Sequence, residues 1–506
     1  MAGTATRAAL GAILGIMLIG APPAASASES IMRIGLPTQI SPRYMDPLEA
    51  TNNTYYGVLY AVHDALIKGM DGGTKPGLAE SVTHNSQFTE YTYRIRENAK
   101  FHNGAKVTAE DVVFSLESYR GADAALLKSR IKSIEATDER TVVVTLHAPW
   151  PDFLAFTSTT ATAFGWIVPK AYYQQVGPEG FIKAPIGAGP YKVESIGVRD
   201  VTLKRFDAFS GRKAKVETLV LSGSTDTAQA LAQLRTGGLD FVSNVTGELA
   251  EAAAKVPGVT VFNKQAHVVF FLKFFDQGDP NSPWSKKEVR QAVNLALDRA
   301  MLSEIETNGV SVPTGTIVPP WFEGAWKAPV PEKDLEKARA LMKQAGYPDG
   351  FTTKFAPLPP YFRMGEAVAA MLAEIGIKVE IEKMERAVFY DRLASKNLKG
   401  VCLCAHGVGG NASIRIGREI YGKGVFSYTA NPAIDALYEK QEKETDVEAR
   451  KALLVDLQKL IQEEAYDAPI YFYAIPMAYG PRVKVAPMLV DGHAYIAPYE
   501  LLELKN

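Results

Sequence analysis

Apolar side chains recur along this chain with two periods. Val289, Ala292, Val293, Ala296, Leu297, Ala300 and Met301 fall three and four residues apart, which puts them on one face and predicts a single amphipathic helix. Ser285-Lys286-Lys287-Glu288 ahead of it has the form of a capping box, as does Thr108-Ala109-Glu110-Asp111 ahead of VVFSLESY. Leu335, Ala338, Leu341, Met342 and Ala345 predict another helix, stopped by Gly346 and Pro348; residues 364–375 predict a third, ended by Gly376. Residues 432–443 and 447–464 read as a helical pair. Strict alternation in Ile377-Lys378-Val379-Glu380-Ile381-Glu382 predicts a half-buried strand, and 89–96, 141–146 and 216–221 read as strands too. Helix–turn–strand order recurs at 226–242 and 334–356, and helix–strand at 364–382. Strands and helices mixed through most of the length predict α/β lobes, not a sandwich or a solenoid.

Composition narrows this picture. A chain of 506 residues is long enough for two or three domains with substantial cores. The 55 basic and 56 acidic residues balance, so no basic surplus draws the chain to nucleic acid. Arg7 precedes an apolar run, AALGAILGIMLIG (8–20), followed by the small-x-small site Ala25-Ser26-Ala27. That run has signal-peptide length and is short for a bilayer span. The expectation is a signal peptide over 1–27, cut after Ala27, and an exported soluble chain.

The chemistry to be explained lies in CLCAHGVGGNASIR (402–415), where the only two cysteines alternate with a histidine ahead of a glycine-rich turn. Residues i and i+2 of a strand share a face, and bridging them needs a strained ring, so two small, partly buried thiols are expected. Cys402, Cys404 and His406 lack the second ligand pair of a structural zinc site. A Cys–His nucleophile would need a positioned base, and here the strand sets the spacing. No Gly-x-Ser-x-Gly, His-Glu-x-x-His or phosphate-binding glycine loop occurs. No enzyme and no cofactor are expected; a secreted hydrolase is the alternative from a different class.

Several stretches, in order, resemble the extracellular solute-binding proteins of the peptide/nickel class, family 5, the binding subunits of ABC importers. They are GLAESVTHNSQFTEYTYRIRENAKFHNGAKVTAEDVVFSLESYR (77–120), APIGAGPYKVES (184–195), LAQLRTGGLDFV (231–242), WSKKEVRQAVNLALDRAML (284–302), KARALMKQAGYPDGF (337–351) and MLAEIGIKVEIEKME (371–385). The resemblance implies the type II periplasmic-binding-protein fold of the large peptide-binding class, with an extra subdomain in the first lobe. The first lobe would be 28–265 plus 470–506, with its insertion at about 49–165, and the second 266–469. Crossing strands would fall near Ala266–Phe271 and Pro469–Tyr473. The chain would work as a periplasmic monomer, giving a small-molecule or peptide ligand to a permease driven by its ATPase. His63, His84, His102, His147 and His493 lie in segments resembling scaffold.

The same resemblance supplies site residues. Peptide-binding relatives carry an aspartate in the loop after the cysteine strand, where it grips the ligand's α-ammonium group. Here that stretch is Gly410-Asn411-Ala412-Ser413, without a charge. The expected ligand therefore lacks a free α-amino group at this spot. Arg415, closing the loop, and Arg363 present planar forks suited to carboxylate or phosphate; the alternative for each is a surface ion pair. Asn52, Asn53, Tyr55 and Tyr56 match a first-lobe loop lining the cleft, with packing against the next helix as the alternative for either tyrosine. His267 and His406 keep a metal chelate open as cargo. Peptide, opine-like or sugar conjugate, and metal chelate are the ligand classes in order of family prior, and the altered loop moves weight to the second.

Overall fold

A computed structural model describes residues 1, 3, 30–36, 40–50, 56–70, 73–223, 226–245, 248–407, 409–428, 430–485 and 498–505. Apart from residues 1 and 3, the segment read as a signal peptide lies outside these, as does His493.

One large sheet organises the chain. Its strands are β1 (Ile31–Leu36), β6 (Tyr191–Ile196), β7 (Asp200–Arg205), β8 (Thr218–Gly223), β9 (Phe241–Ser243), β10 (Thr260–Phe274), β11 (Phe351–Pro357), β12 (Ile377–Ile381), β13 (Val401–His406) and β14 (Asp467–Tyr479). Their order is β12-β11-β13-β10-β14-β9-β1-β8-β7-β6, with Val312–Pro313 added beside β14. Between β1 and β6 the chain builds a separate four-stranded antiparallel sheet from β2 (Ala79–His84), β3 (Glu90–Ile95), β4 (Ile131–Asp138) and β5 (Thr141–Leu146). Each sheet has its own core; Tyr91, Tyr93, Trp150, Phe153 and Trp166 belong to that of the smaller one.

β10 and β14 are long, 15 and 13 residues, and pair antiparallel. Near the start of β10 they run beside β9; near its end, beside β13. Twelve of the 13 residues of β14 are buried, so both faces are covered, and the apolar run Ala468–Tyr473 has no polar alternation for that reason. Pairing slips between Gln265 and Val269 of β10. Such a bulge leaves ladder groups without their usual partners and re-aims the strand.

Helix ends correct two expectations. The helix predicted through 289–301 is two, α4 (Lys287–Ala296) and α5 (Arg299–Thr307). Asp298 divides them: its carboxylate accepts the Met301 N–H at 2.9 Å and restarts the helix. The box at Ser285 does not form; Ser282 caps a 3₁₀ turn over Pro283–Ser285, and Lys286 precedes α4 without a side-chain cap. At α2 (Ala109–Ser118) Asp111 does accept the Thr108 N–H at 2.9 Å. The other helices used below are α1 (Tyr56–Val62), α3 (Thr227–Thr236), α6 (Leu335–Gln344), α7 (Phe362–Ala373), α8 (Ala412–Glu419), α9 (Pro432–Lys443) and α10 (Val447–Glu463).

Candidate functional site

In open α/β sheets ligands sit in the crevice beyond the carboxyl ends of the strands. Two such ends face each other here. Ser243, the last residue of β9, lies level with Met477, which pairs Phe262; His406, the last of β13, pairs Val269. Strand directions aim both ends at residues 263–268 of β10, where the bulge lies. Beyond them come Asn244 on one side and Gly407, with Gly409, Gly410 and Asn411, on the other.

Aromatic residues line the crossing on both faces. Pro319-Pro320-Trp321-Phe322 and Pro359-Pro360-Tyr361-Phe362 are two turns of one design. Trp321 packs on His267 and Phe472, with ring centroids 6.0 and 5.7 Å apart. Tyr361 packs edge-on to Phe270 and Tyr473, at 4.8 and 6.4 Å. Phe472 and Tyr473 are consecutive in a strand, so Trp321 and Tyr361 lie on opposite faces. The Tyr473 hydroxyl pairs with Asn244 Oδ1 at 2.9 Å, tying the crossing to the end of β9.

α8, directly after the glycine turn, joins three parts of the molecule. Gly410 has φ +119°, a region costly for other residues, and lets Asn411 turn into the helix. The Asn411 carbonyl oxygen accepts the Ile414 N–H at 3.0 Å, and its amide donates to Asp152 Oδ1 at 2.5 Å. Arg450 of α10 donates to the same oxygen at 2.6 Å. Ile414 packs in the core of the four-stranded subdomain, and Arg418 pairs with Asp123. On its inner side Arg415 donates to the main-chain carbonyls of His406 at 2.9 Å and His267 at 2.8 Å. It thereby satisfies the end of β13 and the bulge of β10 together.

A buried charge cluster sits beneath. Lys273 donates to Glu419 Oε2 at 2.7 Å and to the carbonyls of Glu419 and Phe426, both at 3.0 Å. His406 Nδ1 bonds the other Glu419 oxygen. Burial opposes ionisation of Glu419, but Lys273 and then His406 outweigh it and hold the carboxyl well below its usual range. Burial, with Arg415 nearby, pushes the His406 imidazole down to about 4, so it is neutral at pH 7. Burial also lowers Arg415 to about 9, still a cation at neutral pH.

The predicted residues divide among these settings. Gly410, Asn411, His406 and His267 stand at the convergence of β13 and the bulge. Ser413 is fully buried and accepts a hydrogen bond from the Gln441 amide at 2.9 Å, inside the helix packing. Arg415 is 1% exposed, and its two terminal nitrogens are engaged with carbonyls, not with a surface acid. Arg363 is exposed in the first turn of α7, just past the carboxyl end of β11. Tyr56 is buried against Tyr60 and Trp166 in the subdomain core. Asn52, Asn53 and Tyr55 lie outside the described residues. Cys402 and Cys404 correct the expectation of two thiols: they form a disulfide across one residue. Their side chains share a face of β13, and the strand contracts to a Cα–Cα distance of 5.5 Å, within bridging reach. Sequence reasoning missed Trp321, Tyr361, Asn244, Tyr473, Asp152 and Arg450; the repeated Pro-Pro-aromatic-Phe turn was the available signal for the first two.

Two halves of one sheet, joined by a pair of shared strands with strand ends converging on the crossing, define a two-lobed binding protein of the type II periplasmic class. The profile of "Bacterial extracellular solute-binding proteins, family 5 Middle" matches residues 73–403, and the chain belongs to that family. Among named relatives, the glutathione-binding protein GsiB of Salmonella typhi is 29% identical over 382 residues, 72% of each chain. Among solved structures, the ABC transporter substrate-binding protein CtaP of Listeria monocytogenes superposes with a TM-score of 0.83 at 21% identity, covering 94% of this chain and 99% of the other. The binding protein AgaA of A. tumefacien R10, solved with agropinic acid, gives 0.77 at 25% identity, covering 94% and 99%. Among the described residues no helix is long and apolar enough to cross a membrane.

Proposed function

We propose that this protein captures a peptide-like or opine-type anion between its lobes and delivers it to the permease of an ABC importer, without chemical turnover. The chain would be exported with cleavage after Ala27 and act as a periplasmic monomer. The observation that carries the ligand class is the bonding of Asn411. It stands where peptide-binding relatives present a carboxylate to the ligand's ammonium group, and its amide is tied to Asp152. That nearby carboxylate is itself neutralised by Arg450 at 2.6 Å. A free α-ammonium here would lack its counter-charge, and leaving one buried costs about 3–5 kcal/mol. Arg363, exposed past the end of β11, is the fork we assign to a ligand carboxylate. Tyr361, two residues before it in the chain, and Trp321, on the other face of the crossing, supply flat apolar faces.

Lobe closure follows from the same contacts. The lobes would hinge on β10 and β14, and the bonds of Asp152 and Asp123 to α8 and α10, with the packing of Ile414 into the subdomain core, would form as they meet. A ligand touching both lobes shifts the population toward the closed form. The test is a thermal-shift screen of the mature protein, refolded to strip bound ligand, against glutathione, free dipeptides, N-acetylated dipeptides, opine-type conjugates and nickel with chelators. A ligand at about a hundred times its dissociation constant adds about 2.7 kcal/mol. Shifts confined to N-blocked or conjugated anions are expected. Equal shifts with free dipeptides would overturn the ligand class, and a shift only with nickel chelates would move the cargo to His406 and His267.

A further inference from the structure

A pocket of about 690 Å³ opens past the carboxyl ends of the neighbouring parallel strands β11 and β12, with Pro359, Pro360, Phe362, Lys383, Glu385 and Arg386 among its walls. Three cations surround the turn Pro359-Pro360-Tyr361-Phe362 there. Arg363 follows it directly, Lys383 lies over the Phe362 ring at 5.5 Å, and Arg386 donates to the Pro359 carbonyl at 2.6 Å. The turn reaches the crossing between the lobes, because Tyr361 packs on Phe270 and Tyr473.

The acids nearby are shared unevenly among these cations. Lys383 pairs with Glu366 at 2.8 Å. Burial raises the Glu306 carboxyl, and Arg363 acts against that, so Arg363 has a carboxyl group close by. Glu382 is taken by Lys354 and Arg392, at 2.9 and 3.3 Å. Glu385 precedes Arg386 and lines the same pocket, but it is exposed and forms no ion pair with it. Arg386 thus has no acid within ion-pair distance among the described residues. Besides Pro359 it meets only Tyr390, donating to the hydroxyl at 3.3 Å with its guanidinium 5.2 Å from the ring. A guanidinium carries five N–H donors, which leaves three on a side chain already held at two points. Such a fork suits a carboxylate, and its prior ordering lowers the cost of binding one.

We propose that Arg386 is a specificity-determining residue of the cleft, taking a second acidic group of the ligand. The cargo is then a dicarboxylate, with one carboxylate on Arg363 and the other on Arg386. This deepens the function proposed above and rests on the ligand class given there.

Isothermal titration of the mature, ligand-stripped protein with N-acetyl-alanyl-glutamate and N-acetyl-alanyl-glutamine tests it. The two peptides match in size and differ by one carboxylate. The glutamate peptide should bind about tenfold or more tighter, the margin of a charge-assisted hydrogen bond. Arg386→Gln should bring the ratio of the two affinities to about one, whereas a merely structural role would weaken both peptides and leave the ratio standing. Should that variant fail to fold, Arg386→Lys decides: it keeps the charge and gives up the fork, so the ratio should shrink. Equal affinity of the two peptides for the wild-type protein, or a ratio that survives the substitution, would overturn the role of Arg386 and leave the proposed ligand class in place. No binding of either peptide up to about 10 mM would remove that ligand class, and the role of Arg386 with it.

Discussion

Replacing Asp152 by asparagine removes one charge from the contact between the four-stranded subdomain and the second lobe. The Asp152 side chain is 3% exposed and that of Arg450 is 8% exposed, with 2.6 Å between Oδ1 and the guanidinium nitrogen. Asparagine keeps the shape and one acceptor but leaves the guanidinium without its anion. Breaking a buried pair on one side costs about 3–5 kcal/mol. Where that cost falls decides the prediction. When the lobes part, Arg450 and Asn411 return to water, so the open form loses little and the closed form bears the penalty. Taking the low end, about 3 kcal/mol at 1.4 kcal/mol per decade, ligand affinity should fall about a hundredfold. Calorimetric titration with the compound identified by the screen reads this directly, and small-angle scattering should show a larger radius for the liganded variant at a fixed ligand concentration. Adding Arg450→Gln should recover much of the loss, because the uncompensated cation is gone. A dissociation constant within about threefold of wild type, with the whole loss appearing in unfolding free energy, would refute the reasoning and make the pair a contact of the fold.

Three further outcomes follow from the buried groups. Burial raises the Asp467 carboxyl from 3.8 to about 7, Lys273 notwithstanding. Both folded and unfolded chains are protonated below about pH 4, and the folded chain alone keeps its proton between there and about 7, so this group's contribution to stability declines as pH rises through that window. Asp467→Asn should therefore outlast wild type in urea by a margin that widens by about 2–3 kcal/mol between pH 5 and pH 8; a margin that does not change with pH contradicts this. Arg415→Gln should destabilise the fold by about 2–4 kcal/mol through two lost charge-assisted bonds, measured by urea unfolding, and a change below about 0.5 kcal/mol would show that the bulge is held by other groups. Cys402→Ala with Cys404→Ala opens a ring of only three residues, so chain entropy predicts a loss of about 1.5 kcal/mol; loss of folding altogether would assign the bridge a larger role.

Local patterning carried much of the secondary structure. The alternation at 377–382 and the spacing at 335–345, 364–375 and 432–443 were legible because most apolar side chains there follow a single period set by one face, though Ile381 at the end of its strand is exposed. The break at Asp298 was harder to see because apolar spacing runs on through it, whereas the interruption is made by a carboxylate reaching the Met301 N–H. At the site, the motif order of family 5 identified the class of protein, and the uncharged Gly410–Ser413 turn marked where the chain departs from its peptide-binding relatives. The roles within that turn were not legible. Arg415 reads as an anion-binding fork, yet it holds the carbonyls of His267 and His406, groups 148 and 9 residues away that need a donor only because β10 bulges and β13 ends there.

The sequence by itself determined several of the strands and helices and the family, because burial periodicity and motif order are properties of neighbours along the chain. Tertiary structure alone decided which charges are available to a ligand. Asp152 is silenced by Arg450 from 298 residues away, and Arg415 is held by the carbonyls of His406 and His267. A side chain's charge is written in its residue type, but its availability depends on the donors and acceptors that folding brings within about 3 Å.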